Sequence, residues 1–295
     1  MRKINLLPSS SLPNGCSKTL QIISQQQCEG EVRMKATRHV LSLSGGKDST
    51  ALAIYMRDKI PNMEYAFCDT MKELPETYEY LDRLEAYLGK KIARLNAERG
   101  FDHWLEMYGG LLPSSQARWC TRMLKLKPFE EYVGDDPVYS YVGIRADEDR
   151  SGYVSTKPNI IPVFPFKEDG LVKADVFRLL EEAGLGLPEY YKWRTRSGCY
   201  FCFFQRKSEW VNLKVNHPDL FEAAKAYEKF NPETGERYTW SDRESLEELE
   251  RPERMAEILR QAEDAKLKSI KPNRSLFDLF SSDDDGDVGC NICHL

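Results

Sequence analysis

The six residues Ser44-Gly45-Gly46-Lys47-Asp48-Ser49 constrain this chain more than any other feature. They follow a β-prone run, His39-Val40-Leu41-Ser42-Leu43, and precede a stretch with Leu52, Met56 and Ile60 at four-residue spacing on one helix face. A strand, a glycine turn and a helix N-terminus in that order leave backbone N–H groups facing an anion above the turn. Lys47 adds a positive charge, and Ser44 and Ser49 add hydroxyl donors. Asp48 is a poor phosphate ligand and is suited to bridging through Mg2+. This is not a Walker loop, which needs Gly-x-x-x-x-Gly-Lys-Ser/Thr.

Further strands are expected at Glu64 to Asp69, Lys91 to Leu95 and Val138 to Ile144, and helices at about Pro75 to Leu88 and Ala174 to Ala183. A helical, Trp-containing segment is expected after the third strand. Strands alternating with helices predict an α/β fold with a doubly wound parallel sheet. In such sheets ligands sit beyond the carboxyl ends of the strands where the winding reverses. With the first strand central, the glycine loop, Asp69-Thr70 and Gly143-Ile144-Arg145 would meet on one edge. Farther on, Asp219 to Phe230 and Arg243 to Lys268 read as polar helices. The expected organisation is an extension over 1–37, a core domain over 38–210, a helical region over 211–280, and a tail over 281–295. That tail holds Asp283, Asp284, Asp285 and Asp287 before a CxxC pair.

Among 295 residues, 42 Lys and Arg stand against 47 Asp and Glu, a net charge of −5. That sum excludes a protein that coats nucleic acid by bulk positive charge, and it leaves a local basic groove open. No stretch approaches the roughly 18 apolar residues of a membrane span. Pro8 and Pro13 break Met1 to Gly15 before any long apolar run, so it is a poor signal peptide. The expectation is a cytoplasmic chain with no membrane partner.

The glycine loop resembles the PP-loop of the ATP pyrophosphatase superfamily, and further segments narrow the resemblance to its phosphoadenosine phosphosulfate (PAPS) reductase-like branch. Cys68-Asp69-Thr70 with Glu73-Leu74-Pro75-Glu76-Thr77 is similar to that branch's "DTG…FPET" segment. Arg118-Trp119-Cys120-Thr121-Arg122 with Lys125, Lys127 and Pro128 is similar to its "CC…K…P" segment. Gly143-Ile144-Arg145 with Glu148 and Arg150 is similar to its "G-x-R…R" element, and Gly198-Cys199-Tyr200-Phe201-Cys202 follows. The resemblance spans about Arg38 to Trp210. It implies the adenine nucleotide alpha hydrolase-like fold, with a helical, Cys-containing C-terminal extension beyond it. It further implies an ATP site made by Ser42, Ser44, Gly45, Gly46, Lys47, Asp48, Ser49, Asp69, Thr70, Gly143 and Arg145. Lys47, Arg145 and Mg2+ near Asp48 would carry adenylation, and Cys202, Cys199 or a bound sulfide would deliver sulfur.

Eight cysteines accompany this loop: Cys16, Cys28, Cys68, Cys120, Cys199, Cys202, Cys290 and Cys293. In a reducing compartment they point to metal, cluster or sulfur chemistry rather than disulfides. Cys120 lies in an acid-free stretch with Arg118, Arg122, Lys125 and Lys127. Cys199 and Cys202 lie in another, from Tyr190 to Lys207, with Lys192, Arg194, Arg196, Arg206 and Lys207. Nearby cations are expected to favour thiolates and to suit a polyanionic substrate. Three readings stay open. The resemblance implies a 4Fe-4S cluster on Cys120, Cys199 and Cys202, with Cys293, Cys290 or Cys68 as a fourth ligand or an open iron. This chain departs from the cluster-bearing reductases, because Trp119 replaces the first cysteine of their pair. The second reading is Zn2+ on Cys199, Cys202, Cys290 and Cys293. The third is a metal-free dithiol or sulfur relay. Cys16 and Cys28 have no motif around them. His39, His103, His217 and His294, and Trp104, Trp193 and Trp210, read as structural or exposed residues, while Trp119 is the candidate for stacking on a substrate.

An intact loop suggests that pyrophosphate is held and released. The ending Cys290-Asn291-Ile292-Cys293-His294-Leu295 is a poor match for the reductases' Glu-Cys-Gly-type nucleophile. The resemblance therefore implies adenylation of a substrate oxygen followed by sulfur incorporation, most like the ATP pyrophosphatase component of DNA phosphorothioation. Such a component has a nucleic-acid substrate and a cysteine desulfurase as sulfur donor. A PAPS or adenylylsulfate reductase, a tRNA thiolation enzyme and a non-catalytic nucleotide-sensing subunit are the alternatives.

Overall fold

The computed structural model describes residues 37–149, 155, 157–230, 235, 237–241 and 244–269. Arg150, the four thiols of Cys16, Cys28, Cys290 and Cys293, and His294 lie outside the described residues, as does the acidic tail.

Strand β1, Arg38–Leu43, is buried along its last four residues. Alternate side chains enter two different cores, as the two-residue strand period requires: Val40 on one face, Leu41 and Leu43 on the other. After the loop come α1, Lys47–Met56, then β2, Glu64–Asp69, α2, Pro75–Leu88, and β3, Ile92–Asn96. Pro75 opens α2 where its missing N–H costs nothing, and Gly89, at φ 64°, closes it. Helix α3, Phe101–Met107, follows. The chain then passes through one α turn, Trp119–Thr121, and a π-helical stretch, Arg122–Leu126, into α4, Lys127–Val133. Pro128 lies just inside α4, and the wider π turn before it makes room for a ring that an unbroken α-helix would not accept.

Strands β4, Val138–Tyr141, and β5, Ile160–Val163, complete a five-stranded sheet in the order β3-β2-β1-β4-β5. Every pairing is parallel: Leu41 opposite Tyr65 and Tyr141, Cys68 opposite Leu95, Tyr139 opposite Ile161. The fold is thus the expected doubly wound α/β sheet, and its winding reverses between β1 and β4. Short helix α5, Pro165–Glu168, and α6, Lys173–Glu182, pack with α1 and α2 on one face, around Leu41, Leu52, Leu81, Phe166 and Val176. On the other face Phe129 and Val133 of α4 cover Val40, Ala66, Cys68 and Val138. A third core joins α3 and the Trp119 turn to the C-terminal helices α7, Lys207–Asn216, and α8, Pro218–Lys225. It centres on Phe101, Phe201, Trp210 and Trp240. No helix among the described residues is long and apolar enough to cross a membrane.

Several expected boundaries move. Helix α1 ends at Met56, and Ile60 reaches the core from the turn that follows. Strand β4 stops at Tyr141, where the chain turns so that Ile144 N–H donates to the Val142 carbonyl at 3.0 Å. Strand β5 was not expected; its Pro162 lacks a ladder donor, which an edge position tolerates. The expected helix from Asp219 to Phe230 ends at Lys225, because Lys229–Phe230 (β6) pairs antiparallel with Arg237–Tyr238 (β7). Glu228 fixes that departure by accepting the N–H groups of Trp240, at 3.0 Å, and Leu246, at 2.7 Å. The expected helix from Arg243 to Lys268 divides into α9, Leu246–Leu249, and α10, Pro252–Ser269. Ser245 and Glu248 cap the first reciprocally, and Pro252 starts the second.

Gly143 sits at the reversal with no room for a side chain. A Cβ there would lie 3.0 Å from the Asp48 carbonyl oxygen in the first turn of α1. Gly143→Ala is expected to destabilise the protein by about 1–3 kcal/mol, as overpacking against backbone does. Urea unfolding reads the change, and an unchanged midpoint would contradict this packing.

Candidate active site

The reversal brings together the residues that the sequence placed in a nucleotide site. Gly45, at φ 73°, turns the chain out of β1, and a Cβ there would strike Thr77 of α2 at 2.5 Å. Gly46 is the N-cap of α1 and provides no side-chain cap, so the helix N-terminus is dressed by the loop itself. The Ser49 hydroxyl accepts from Ser44 N–H at 3.1 Å and donates to the Gly46 carbonyl at 3.3 Å. Gly46 N–H donates to Ser44 Oγ at 3.3 Å. Lys47 and Asp48 are both buried; Lys47 Nζ and Asp48 Oδ2 are 3.0 Å apart. Arg145, reaching across from the loop after β4, places Nη1 2.9 Å from Asp48 Oδ1. The same guanidinium pairs with Asp147 at 2.9 Å and Glu148 at 3.1 Å, and these carboxylates raise its pKa further against the lowering effect of burial. Ser42 lies buried in β1, and its hydroxyl has no hydrogen-bond partner among the described residues.

At the end of β2, Asp69 is turned into its own loop: Oδ1 accepts from Met71 N–H and the Tyr78 hydroxyl, each at 2.8 Å. Met71 has φ 61°, the left-handed region that favours glycine, and it stands where the resembling motif has its glycine. Thr70 donates to Glu73 Oε1 at 2.9 Å and lies 3.1 Å from Cys199 Sγ. The end of β2 therefore touches the CxxC segment directly.

Cys120, Cys199 and Cys202 line one cavity of about 40 Å³, with Phe101, Phe201 and Phe204 among its walls. They come from two stretches nearly eighty residues apart in sequence, so the fold brings three of the expected thiols to one space, while Cys293 lies outside the described residues. No three His, Cys, Asp or Glu side chains among the described residues stand in a ready-made metal-ligand arrangement. The donor types nevertheless fit a soft metal or iron–sulfur cluster: three thiols share one space behind aromatic walls. Cys68 is not in that set. It is buried in β2, donates to the Lys125 carbonyl at 3.4 Å, and burial pushes its thiol up to about 12.

One electrostatic expectation is overturned. Burial and a facing carboxylate outweigh the cations at Cys199, although Lys125 pulls the thiol down. Arg194 is buried and points its Nη1 and Nη2 at the carbonyls of Gly198 and Cys199, each at 3.0 Å. The residue facing the thiol is Glu73, whose Oε1 lies 3.7 Å from Cys199 Sγ. The Cys199 residue is only part-exposed and its thiol is enclosed; burial first, and then Glu73, hold it well above the ordinary thiol range. Trp119 is also corrected, from stacking candidate to core residue. It is buried, stacks on Tyr108 with centroids 5.2 Å apart, and donates Nε1–H to the Leu111 carbonyl at 3.0 Å.

Sequence reasoning missed Tyr190, Tyr191 and Ser197, which tie the CxxC segment to the glycine loop. The Tyr190 hydroxyl donates to the Gly45 carbonyl at 2.8 Å. Lys47 N–H donates to the Tyr191 hydroxyl at 3.3 Å, and Ser197 Oγ donates to Ser44 Oγ at 3.3 Å. Their only sequence signal was position, just ahead of the cysteine pair.

The family model described as the phosphoadenosine phosphosulfate reductase domain matches residues 38–202. An uncharacterized protein of Methanocaldococcus jannaschii is 28% identical over 197 residues, 62% of this chain and 40% of its own length. A second from that organism is 28% identical over 192 residues, 61% of this chain and 45% of its own length. The chain thus spans less than half the length of these two relatives. An uncharacterized 37.8 kDa protein of Escherichia phage 186 is 26% identical over 261 residues, 66% of this chain and 75% of its own length. Among solved structures, PAPS reductase from Candida auris, in a phosphate complex, aligns at 16% identity and TM-score 0.45, over 65% of this chain and 98% of that one. The U34-tRNA thiolase NcsA from Methanococcus maripaludis, with its 4Fe-4S cluster, aligns at 15% identity and TM-score 0.38, over 71% and 76%.

Met71 is 64% exposed, so replacing it removes little packing while relieving the left-handed backbone. Met71→Gly is expected to raise stability by up to about 1 kcal/mol, the strain relieved outweighing the added chain entropy. A lower thermal midpoint than the parent protein's would show that the side chain contributes more than its exposure implies.

Proposed function

Because the chain belongs to the phosphoadenosine phosphosulfate reductase domain family, we propose that it is an ATP pyrophosphatase that activates an acceptor oxygen for replacement by sulfur. The observation that carries this reading is the Ser44–Ser197 contact, which joins the phosphate loop to the segment bearing Cys199 and Cys202. Nucleotide activation and sulfur delivery would then occupy neighbouring ends of one crevice.

In the first half-reaction the acceptor oxygen attacks the α-phosphorus of ATP, and the bond to the β,γ-pyrophosphate breaks. Such transfers are governed by positioning and charge stabilisation. Gly45 and Gly46 let the backbone approach the leaving pyrophosphate, and Lys47 and Arg145 neutralise its charge once the phosphates compete for them with Asp48. A carboxylate accepts at several lone-pair sites, so Asp48 can also hold the Mg2+ that accompanies the phosphates. In the second half-reaction a sulfur nucleophile attacks the activated centre and AMP leaves with the acceptor oxygen. Cys120, Cys199 and Cys202 are the residues that would hold or carry that sulfur. A 4Fe-4S cluster bound by them would supply affinity for sulfide. The finer reading is a nucleic-acid acceptor, as in DNA phosphorothioation, with a cysteine desulfurase as donor.

Purified protein with ATP, Mg2+, cysteine, a desulfurase and candidate DNA or RNA is expected to release pyrophosphate. Lys47→Ala should lower that rate by about 100-fold or more, the scale of losing one charge-stabilising group. Absence of pyrophosphate release with every acceptor would instead favour a nucleotide-sensing role. Anaerobically purified protein is expected to contain iron and absorb near 400 nm, and Cys199→Ala should lose both. Colourless protein with one equivalent of zinc would replace the cluster by the zinc reading.

A further inference from the structure

Two acid-free stretches, residues 117–127 and 190–207, meet at the cysteine cavity, and their cations divide by what they touch. Lys127 pairs with Glu131 at 3.8 Å, Lys207 with Glu244 at 2.6 Å, and Lys192 with Glu189. Arg194 is spent on two carbonyls beneath the cavity floor. Arg118 is held differently. Its Nε donates to the Ser115 carbonyl at 3.2 Å, and its guanidinium lies 5.1 Å from the centroid of the Phe204 ring. Arg196 lies 5.2 Å from the same ring and donates to the Phe204 carbonyl. Arg122 follows Arg118 by one turn, with its N–H 3.3 Å from the Arg118 carbonyl, and it is exposed. No carboxylate among the described residues forms a direct ion pair with Arg118 or Arg122, whereas Arg38, Arg94, Arg178 and Arg254 each have one.

The ring that gathers these cations belongs to the cavity. Phe203 and Phe204 both line it, their centroids 4.3 Å apart, and both are part-exposed, as are Cys120 and Cys202. The open side of the thiol cavity is thus edged by two adjoining aromatic rings and by the guanidinium groups gathered around Phe204. Guanidinium groups match phosphate oxygens in geometry as well as charge, and aromatic faces accept bases of any sequence. A cavity of about 40 Å³ must receive a group that protrudes, and a flexible single strand can bend to present one where a stiff duplex resists it.

We infer that Arg118 and Arg196, gathered at Phe204, with Arg122 one turn along from Arg118, bind the sugar-phosphate backbone of a single-stranded nucleic acid at the mouth of the Cys120–Cys199–Cys202 cavity. The inference deepens the proposed sulfur-transfer reading by naming the acceptor's binding surface, and it is tested by binding alone. The full chain is titrated into a labelled single-stranded oligothymidylate over a range of salt concentrations, with fluorescence anisotropy as the readout. Affinity is expected to fall with salt. The double substitution Arg118→Ala/Arg122→Ala should weaken binding at least about tenfold, as removal of charge-assisted hydrogen bonds does. The log–log salt slope should shrink by about 0.7 for each phosphate that the variant no longer neutralises. Phe204→Leu, which keeps an apolar wall, should weaken binding without changing that slope. Arg178→Ala, on α6, is the control and should bind like the parent protein. Strand binding is read without ATP and pyrophosphate release in a separate assay, so loss of either reports on a separate claim. No binding overturns the inference, as does equal binding by the arginine variant with an unchanged thermal midpoint. So does equal competition by polyglutamate, which would assign the surface to an acidic protein instead.

Discussion

The buried carboxylate of Asp48 organises the rest of the site. It lies between Lys47, its own neighbour on α1, and Arg145, which arrives from the far side of the sheet reversal. Burying three charged side chains is costly, and their attraction offsets that cost only while all three stay together. Asp48 is the member that faces both cations, and breaking a buried pair by removing its shared partner costs about 3–5 kcal/mol. Asp48 therefore clamps the end of β4 against the start of α1, and Gly143 permits the close approach that the clamp demands. Phosphates entering the crevice would carry the same kind of charge as Asp48. They would be met by cations already gathered and oriented around Asp48, so the ligand-free arrangement prepares the site.

The fold was legible because its signals are local and repeated. Strand, glycine turn and helix follow one another in β1 and α1, and alternation of strands and helices then leaves few topologies open. The convergence of the glycine loop with Gly143 and Arg145 follows from strand order alone, once β1 is central. The boundaries that failed depend on partners distant in sequence. The end of α8 is set by Glu228 capturing the N–H groups of Trp240 and Leu246, contacts that no window of local periodicity contains.

The cysteines show the same division. Spacing and resemblance selected Cys120, Cys199 and Cys202, and the structure lines one cavity with them. Charge counting misjudged Cys199, because sequence proximity says nothing about where a long side chain points. Arg194 stands five residues from Cys199 and spends its guanidinium on backbone, while Glu73, 126 residues away, faces the thiol. Trp119 was misjudged for a related reason. Its basic neighbours suggested a surface platform, yet the adjoining core needed an indole to fill the space between Phe101 and Tyr108.

The segment from Tyr190 to Gln205 has little regular structure, and this explains why Arg194 differs in role from Arg118 of the other basic stretch. An irregular chain brought near the interior must satisfy its backbone polar groups without a helix or sheet ladder. Tyr200 N–H finds the Lys72 carbonyl at 2.8 Å, and Gln205 Nε2 donates to the Tyr200 carbonyl at 2.9 Å. Thr195 N–H is taken by Glu209 at 2.7 Å. Arg194 belongs to this framework, since a guanidinium can satisfy two carbonyls at once where a lysine would reach one. Its charge is consumed in fixing the loop that carries Cys199 and Cys202. Arg118 sits outside that framework, resting on an aromatic ring that leaves its N–H donors largely available. A basic stretch is thus half scaffold and half surface, and only the contacts of each guanidinium separate the two.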